Sequence, residues 1–380
     1  MKIMKKISIF PLLCFVSVSI MTSCVDSRVS TADYTVDWDN AECTPASLAD
    51  IYSEIEFIPL ENKRECMLSN VKSMSVTDRG IVVYHRTPLP VVTLFDADGQ
   101  YVRNIGSLGH ARGEYQDNVV CVASSPSGDT ISVVTYEGVN VYDGEGGYVW
   151  SMTQTDDFMK NVVWTPKGYA FSTDYHGSEY ALYFTDEHFK KGDGWDANDG
   201  VCISDFGFCA QSLCCDGAYV YYYDQFKPSF YRVSLAESHE VREIAMTSSH
   251  MVRMEEYDKR NTGEYIKDDV PMDYVWDYIP YKGKLCGYAT LQGGKQCEFV
   301  MDVDNGTVKL YEMGAWVPAH SSVYDGYQYA MLSQIDFLNL TENCGSDAFD
   351  ELDKCNFSQV KDSITEQGNY IVVKMKRRNL

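Results

Sequence analysis

The chain has 380 residues, of which 45% are hydrophobic, and a formal net charge of −23 at pH 7. It is therefore long enough to bury a large core. The excess of acidic residues excludes a typical nucleic-acid-binding protein, because phosphate backbones are bound by basic surfaces. Tyrosine alone accounts for 28 residues, and this favours β-strands, since aromatic side chains fit a pleated, half-buried surface.

The first 23 residues have the parts of an export signal: a lysine-rich start, an apolar run from Ile7 to Ile20, and small residues before Cys24. The apolar run is too short to serve as a permanent membrane span. Met21-Thr22-Ser23-Cys24 resembles the lipobox of bacterial lipoproteins, which implies cleavage before Cys24 and lipid attachment to it. The alternative is a soluble secreted protein with an incidental cysteine at this place.

After the signal peptide (1–23), the sequence predicts two further regions. Residues 24–48 are polar with few periodic apolar positions, and this is typical of a tether. Residues 49–380 carry the folded domain, which opens on the alternating strand pattern of Ile51–Leu60.

Within the folded domain, a short strand repeatedly ends in a two-residue turn closed by glycine. The six turns are Arg79-Gly80, Ser127-Gly128, Lys167-Gly168, Asp216-Gly217, Lys282-Gly283 and Asp325-Gly326. A hairpin that recurs every 40 to 66 residues indicates the four-stranded blades of a β-propeller. We assign the longest interval to a charged insertion at about residues 248–270.

A second series of turns, such as Asp96–Gly99 and Tyr142–Gly144, follows the glycines in phase and separates a third strand from a fourth. The sixth blade lacks one strand before its final strand at 369–376. We expect Ile51–Leu60 to supply it, because closing the ring in this way leaves no exposed sheet edge. The predicted fold is therefore all-β: a six-bladed propeller closed by an N-terminal strand, with a short helical insertion at about 339–368.

The stretch 94–115 resembles an NHL-type repeat, and more closely the six-bladed propeller lipoproteins of Gram-negative gut anaerobes. Gly109, Gly113, Glu114 and Tyr115 match the glycine-rich crossover of that group, whereas Ala111 and Arg112 replace its middle Gly-Pro. The resemblance implies an outer-membrane-associated propeller, on the periplasmic or the cell-surface side, with no established active site.

In an antiparallel blade, the loops between strands two and three and the crossovers between blades open on one face. Aligning the blades places aromatic, basic and acidic side chains around one channel mouth, a mixture suited to a polar or sugar-like ligand. The candidate ligand-binding residues are His85, Arg86, Arg112, Glu114, Tyr136, Glu137, Tyr175, His176, Asp224 and Lys227. The alternative is that they are ordinary solvated loop residues.

Catalytic and metal-binding patterns are scarce in the sequence. Neither G-x-S-x-G nor H-E-x-x-H occurs, and Asp96-x-Asp98-Gly99 lacks the distal glutamate of a calcium loop. We therefore expect no metal, no cofactor and no catalytic residue. The expected role is a monomeric ligand-binding or interaction module for glycans, peptides or a protein partner. The alternative is a carbohydrate- or lactone-directed hydrolase or lyase, with His110 as its candidate acid–base.

The sequence contains 13 cysteines. Removing Cys14 with the signal peptide and acylating Cys24 leaves an odd number, so at least one stays unpaired. We interpret Cys121, Cys214 and Cys286 as small buried residues of strands, and the sequence leaves every disulfide pairing open.

Overall fold

Strands dominate the computed structural model, which describes residues 32–378 except 87, 154–158, 174–179, 196–212, 225–228, 237–238, 249–273, 292–293, 313, 315, 317, 344–348, 350 and 365–367. The predicted signal peptide and Cys24 lie outside the described residues. So does the predicted insertion at 248–270, apart from Ser248.

The chain begins with short elements that lead into the ring. They are β1 (Tyr34–Asp37), β2 (Cys43–Pro45), α1 (Leu48–Ile51) and β3 (Tyr52–Pro59). Helix α1 starts where the side chain of Ser47 accepts a hydrogen bond from the amide of Asp50, and the Asp50 carboxylate accepts one from the amide of Ser47. This reciprocal pair fixes the turn into β3.

Blades 1 to 3 each contain four consecutive strands in antiparallel order. Blade 1 is β4 (Val71–Thr77), β5 (Gly80–Arg86), β6 (Pro90–Phe95) and β7 (Tyr101–Asn104). Blade 2 is β8 (Val119–Ser124), β9 (Thr130–Thr135), β10 (Gly138–Asp143) and β11 (Tyr148–Thr153). Blade 3 is β12 (Met159–Thr165), β13 (Gly168–Thr173), β14 (Leu182–Thr185) and β15 (Lys191–Trp195).

Blades 4 and 5 repeat this order. Blade 4 is β16 (Leu213–Cys215), β17 (Tyr219–Asp224), β18 (Ser229–Ser234) and β19 (Val241–Thr247). Blade 5 is β20 (Tyr274–Tyr281), β21 (Lys284–Leu291), β22 (Lys295–Asp302) and β23 (Thr307–Glu312).

Blade 6 joins the two ends of the chain. It contains β24 (Ala319–Tyr324), β25 (Tyr327–Leu332), β27 (Ile371–Arg377) and β3, with β26 (Lys354–Cys355) on the outer edge. Strands β3 and β27 run antiparallel, from Ile371 opposite Pro59 to Arg377 opposite Tyr52. The predicted six-bladed ring and its closure by the N-terminal strand are confirmed.

The hairpin glycines are required by two kinds of turn. At Gly80, φ is +127° and a Cβ atom would lie 2.1 Å from the carbonyl oxygen of Phe95, so no other residue fits. In blades 5 and 6, both turn residues take positive φ, as at Lys282 (49°) and Gly283 (77°). This is the turn whose twist matches that of the two flanking strands.

Aromatic side chains fill the wedges between neighbouring blades. Between blades 4 and 5, the Phe230 ring centroid lies 5.0 Å from that of Tyr278 and 6.0 Å from that of Phe299. All three side chains are fully buried. Large aromatic groups suit these wedges because each buries much apolar area and prefers edge or tilted contacts.

Part of the predicted tether belongs to the propeller. Strand β1 pairs in parallel with β19, with Tyr34 opposite Ile244, and β2 pairs in parallel with β23, with Cys43 opposite Leu310. Strands β1 and β2 thus extend the outer edges of blades 4 and 5, so this part of the region predicted as a tether over 24–48 belongs to the propeller.

The helical insertion near the C-terminus is confirmed, with different bounds. Helix α2 (Gln334–Asn343) begins before the predicted start at 339, because the Ser333 hydroxyl accepts a hydrogen bond from the amide of Asp336 at 3.1 Å. Helix α3 (Phe357–Lys361) follows Asn356, which occupies its N-cap position.

A buried polar cluster holds the closing strands against blade 5. This closure cluster consists of Tyr52, Tyr288, Glu298, Gln328 and Arg377. Arg377 forms an ion pair with Glu298, and its Nε donates to Oε1 of Gln328 at 2.9 Å. The Tyr52 hydroxyl lies 2.9 Å from both carboxylate oxygens of Glu298. These contacts connect both chain ends to β22.

We expect Arg377→Met to lower the free energy of unfolding by about 3–5 kcal/mol, because it leaves the Glu298 carboxylate buried without its cation. Lys374→Met is the matched control on the same strand. Lys374 pairs with the half-exposed Glu56 at 3.3 Å, so its loss should cost under about 1 kcal/mol. Urea unfolding measures both changes. Equal decreases in the free energy of unfolding for the two variants would contradict the proposed contribution of the closure cluster to stability.

Candidate functional site

The first strands of the six blades surround a central channel with a volume of about 500 Å³. Most of its polar lining consists of hydroxyl and amide groups, with two lysines, one histidine and two aromatic rings. The lining residues that bear on recognition are Lys72, Ser73, Ser75, Ser124, Asn161, Trp164, Asp216, Lys282, His320, Ser321, Ser322 and Tyr324. A volume of this size accommodates a small molecule.

Five of the six first strands carry a register shift near their start. In blades 1 to 3, the shifts lie at Val71/Ser73, Val119/Cys121 and Met159/Asn161. Those in blades 5 and 6 lie at Val275/Asp277 and Ala319/Ser322. A bulge bends the strand and redirects a side chain, so these irregularities determine which residues face one end of the channel.

His320 and Lys72 lie on neighbouring bulged strands at this end. His320 has φ of +56°, an uncommon conformation for a residue other than glycine. Its ring bonds to the backbone of Lys72, while burial, together with the Lys72 ammonium, lowers the pKa of His320 to about 4. The imidazole is therefore neutral at physiological pH.

Asp277 is on β20, the first strand of blade 5, and its side chain contacts the first strand of blade 6. It is fully buried, and its Oδ2 accepts a hydrogen bond from the amide of Ser321 at 2.8 Å. Burial raises the pKa of Asp277 to about 6. The Ser321 side chain also interacts with the Asp277 carboxyl. Among the residues that the structure describes, the Ser124 hydroxyl is buried without a hydrogen-bond partner.

The channel differs in charge from the rest of the protein. Its described lining contains Lys72 and Lys282 but one carboxylate, Asp216, whereas the whole chain carries −23. A cleft with low-dielectric walls focuses the field of the charges that line it. The electrostatic potential in the channel is therefore less unfavourable for an anion than that at the acidic outer surface.

The sequence-predicted residues of blade 1 are engaged by the blade and by the crossover that follows it. His85 is buried at the end of β5, with its Nε2 atom 3.2 Å from the hydroxyl of Thr93. Burial lowers the pKa of His85 to about 4. Arg86 donates to the carbonyl oxygen of Asp117 at 3.0 Å.

The crossover residues Arg112 and Glu114 lie near the outer strand of blade 2. Arg112 stands over the ring of Tyr148 in β11, 5.5 Å from its centroid. The Glu114 carboxylate accepts a hydrogen bond from the amide of Ala111 at 2.8 Å and thus closes the glycine-rich loop. The structure does not bring these two residues to the channel lining.

The other candidate residues lie in different parts of the fold. Tyr136, which is 54% exposed, and Glu137 form the β9–β10 turn, on the face where the first strands begin. Asp224 is buried at the end of β17. Tyr175, His176 and Lys227 lie outside the described residues.

The comparisons with known proteins support a shared architecture. The model of the family described as domain of unknown function DUF4934 matches residues 33–376. The chain belongs to this family.

Two crystal structures have the same fold as this DUF4934 protein. One is a Bacteroides fragilis NCTC 9343 protein named as exported, with 15% identity, a TM-score of 0.68, and coverage of 91% of this chain and 99% of its own. The other is a DUF4221 family member from Bacteroides vulgatus ATCC 8482, with 11% identity, a TM-score of 0.52, and coverage of 87% and 98%. No curated protein matches the chain. Among the described residues of the DUF4934 protein, no helix is long and apolar enough to cross a membrane.

Sequence reasoning found the innermost strands but did not select their residues as a site. A usable signal was present: Ser73, Cys121 and Asn161 each stand seven residues before the hairpin glycine of their blade, and all three line the channel. Aligning the blades on those glycines would have shown the ring of equivalent positions.

The Asp277 carboxyl predicts a specific pH dependence. Its folded pKa, about 6, exceeds the unfolded value of about 3.9, so the folded state holds a proton that the unfolded state releases. Stability is then lost as pH rises from about 4 to 6. Asp277→Asn keeps an oxygen for the Ser321 amide without the charge. We expect it to match wild type near pH 4 and to exceed it by about 3 kcal/mol above pH 7.

Urea unfolding of both proteins across pH 4–8 measures this difference. Taking the difference between the two proteins cancels every titration that they share. A constant difference over the whole range would contradict the buried, proton-holding state of Asp277.

Proposed function

We propose that the protein is an exported, lipid-anchored binding protein whose central channel holds a small hydroxylated ligand with a negative charge, such as an acidic glycan fragment. The observation that carries this proposal is the channel lining. Hydroxyl and amide groups from four blades converge there with Lys72 and the neutral His320.

The polar lining suits such a ligand for two reasons. The hydroxyl of Ser124 has no partner among the described residues, and buried polar groups ordinarily find one in protein, water or ligand. The aromatic rings of Trp164 and Tyr324 also line the channel, and such rings offer apolar faces with a polar tip. A sugar presents the complementary combination of hydroxyls and an apolar ring face.

The titration of His320 favours a binding role for this residue over general-base catalysis. A general base works best with a pKa near the operating pH, whereas that of His320 is about 4. His110, the sequence-based candidate for catalysis, is exposed on the crossover loop, and the Glu114 carboxylate beside it is engaged by the amide of Ala111.

Tyr136 and Glu137 extend the proposed site at its mouth. They lie in a turn on the face where the channel-lining strands begin. In this proposal the channel fixes the charged end of the ligand, and the mouth contacts the part that projects outward.

A thermal-shift screen with acidic and neutral oligosaccharides and with peptides tests the proposal, followed by calorimetry on each hit. We expect Lys72→Met to weaken an anionic hit about 10- to 100-fold, because a hydrogen bond to a charged group contributes about 1.5–3 kcal/mol. Asn161→Leu should weaken neutral and anionic hits alike. Val149→Ser, on the exposed face of outer strand β11, is the control and should change neither. Hits that are unaffected by both channel variants would place binding elsewhere.

The proposed anchor is Cys24, and it is supported by the lipobox-like sequence and by the exported relative of the same fold. We expect the full chain, expressed in a Gram-negative host, to incorporate labelled fatty acid and to fractionate with the outer membrane. Cys24→Ser should abolish both, whereas Cys14→Ser, inside the apolar run, should abolish neither. Unchanged labelling of the Cys24→Ser protein would contradict the anchor.

A further inference from the structure

The N-terminal segment carries a cysteine that meets another cysteine 254 positions away. The Sγ atoms of Cys43 and Cys297 lie 3.1 Å apart. Cys43 is on β2, at the outer edge of blade 5, and Cys297 is on β22, two strands further in. Both thiols therefore lie on the same face of the sheet, on either side of β23.

The surroundings favour a fixed pair rather than a chance encounter. Cys297 is 2% exposed, and its backbone partner is Glu312, which is also the partner of Pro45 in β2. Glu312 in turn forms an ion pair with Lys295 at 2.7 Å. These contacts fix the register of β2, β23 and β22 next to the two sulfur atoms.

We propose that Cys43 and Cys297 form a disulfide in the exported protein, which staples the N-terminal segment to blade 5. The sulfurs need to approach by about 1 Å to reach the bond length of about 2.04 Å. Because the two cysteines flank β23 and neighbouring strands are spaced by about 4.8 Å, β2 also has to shift toward β22 until the two Cα atoms are within about 7 Å. Strand β2 has three residues and lies at the sheet edge, so it can make this movement without disturbing a central strand.

The chemistry requires a disulfide donor, such as a thiol–disulfide oxidoreductase in the cell or oxidised glutathione in vitro. The thiolate of Cys43, the more exposed residue, attacks the donor, forms a mixed disulfide and releases one donor thiol. The thiolate of Cys297 then attacks the Cys43 sulfur and releases the second donor thiol. Two cysteine thiols are oxidised, one donor disulfide is reduced, and the two protons end on the released thiols.

Burial raises the pKa of the Cys297 thiol, and the neighbouring Cys43 thiol acts in the same direction. Because the thiolate is the reactive form, we expect slow oxidation of the folded protein and faster oxidation while β2 is still undocked. The bond should therefore form during folding after export.

The test uses the full chain, exported by a Gram-negative host or refolded in glutathione redox buffer. Free thiols are alkylated, the protein is digested without reduction, and cross-linked peptides are identified by mass spectrometry. We expect a Cys43–Cys297 peptide pair that disappears on reduction. Alkylated Cys43 and Cys297, or a link from either residue to another cysteine, would overturn the proposal.

Thermal unfolding provides a second measurement. Reductant should lower the Tm of wild type by roughly 5–10 °C, since a bond that closes so long a loop restricts the unfolded chain strongly. Cys43→Ser and Cys297→Ser should each lose this reductant effect. Cys66→Ser is the control, because the Cys66 thiol donates to the carbonyl oxygen of Glu61 at 3.1 Å, and it should retain the effect. The same reductant response in Cys43→Ser as in wild type would contradict the assigned bond.

Discussion

Arg377 and Glu298 form an ion pair that is withdrawn from water almost completely, at 2% and 0% exposure. Burying two charges costs several kcal/mol for each ion unless the geometry returns it. Tyr52 and Gln328 supply the additional hydrogen bonds. The pair forms only when the two chain ends and blade 5 are all in place. Its formation therefore requires a closed ring.

The channel depends on this closure. Its wall consists of the first strands of all six blades, and β24, which carries His320, belongs to the blade that the two chain ends complete. If β3 left β27, blade 6 would lose its fourth strand, and its contacts with blades 1 and 5 would loosen. The side chains of His320 and Lys72 would then no longer be held in a fixed position relative to each other.

The blades could be predicted from sequence because their determinants are local. A positive φ and a close carbonyl oxygen make glycine obligatory at turns such as Gly80, and these turns recur at propeller spacing. Strands β1 and β2 were not predicted because each has only three or four residues, too few to show an alternation of apolar and polar side chains. Their partners, such as Ile244 for Tyr34, lie some two hundred residues away in the chain.

The candidate site was predicted less well because polarity alone does not separate a binding loop from a solvated one. His85 was selected as a loop residue, yet β5 extends through Arg86 and buries it. The bulges that bring Lys72 and His320 to the channel have no strong sequence signature, since they insert one residue without a required type. The buried Arg377–Glu298 pair was hidden for the same reason: nothing local marks two charges that tertiary packing will enclose.

The two chain ends, which pair in blade 6, should open only when the whole propeller unfolds. Hydrogen–deuterium exchange of the native protein, resolved by peptide, measures this directly. We expect the amides of β3 and β27 to exchange with the same opening free energy as those of β22, close to the global free energy of unfolding. Exchange of β3 through an opening of much lower free energy, while β22 stays protected, would contradict the central role of the closure.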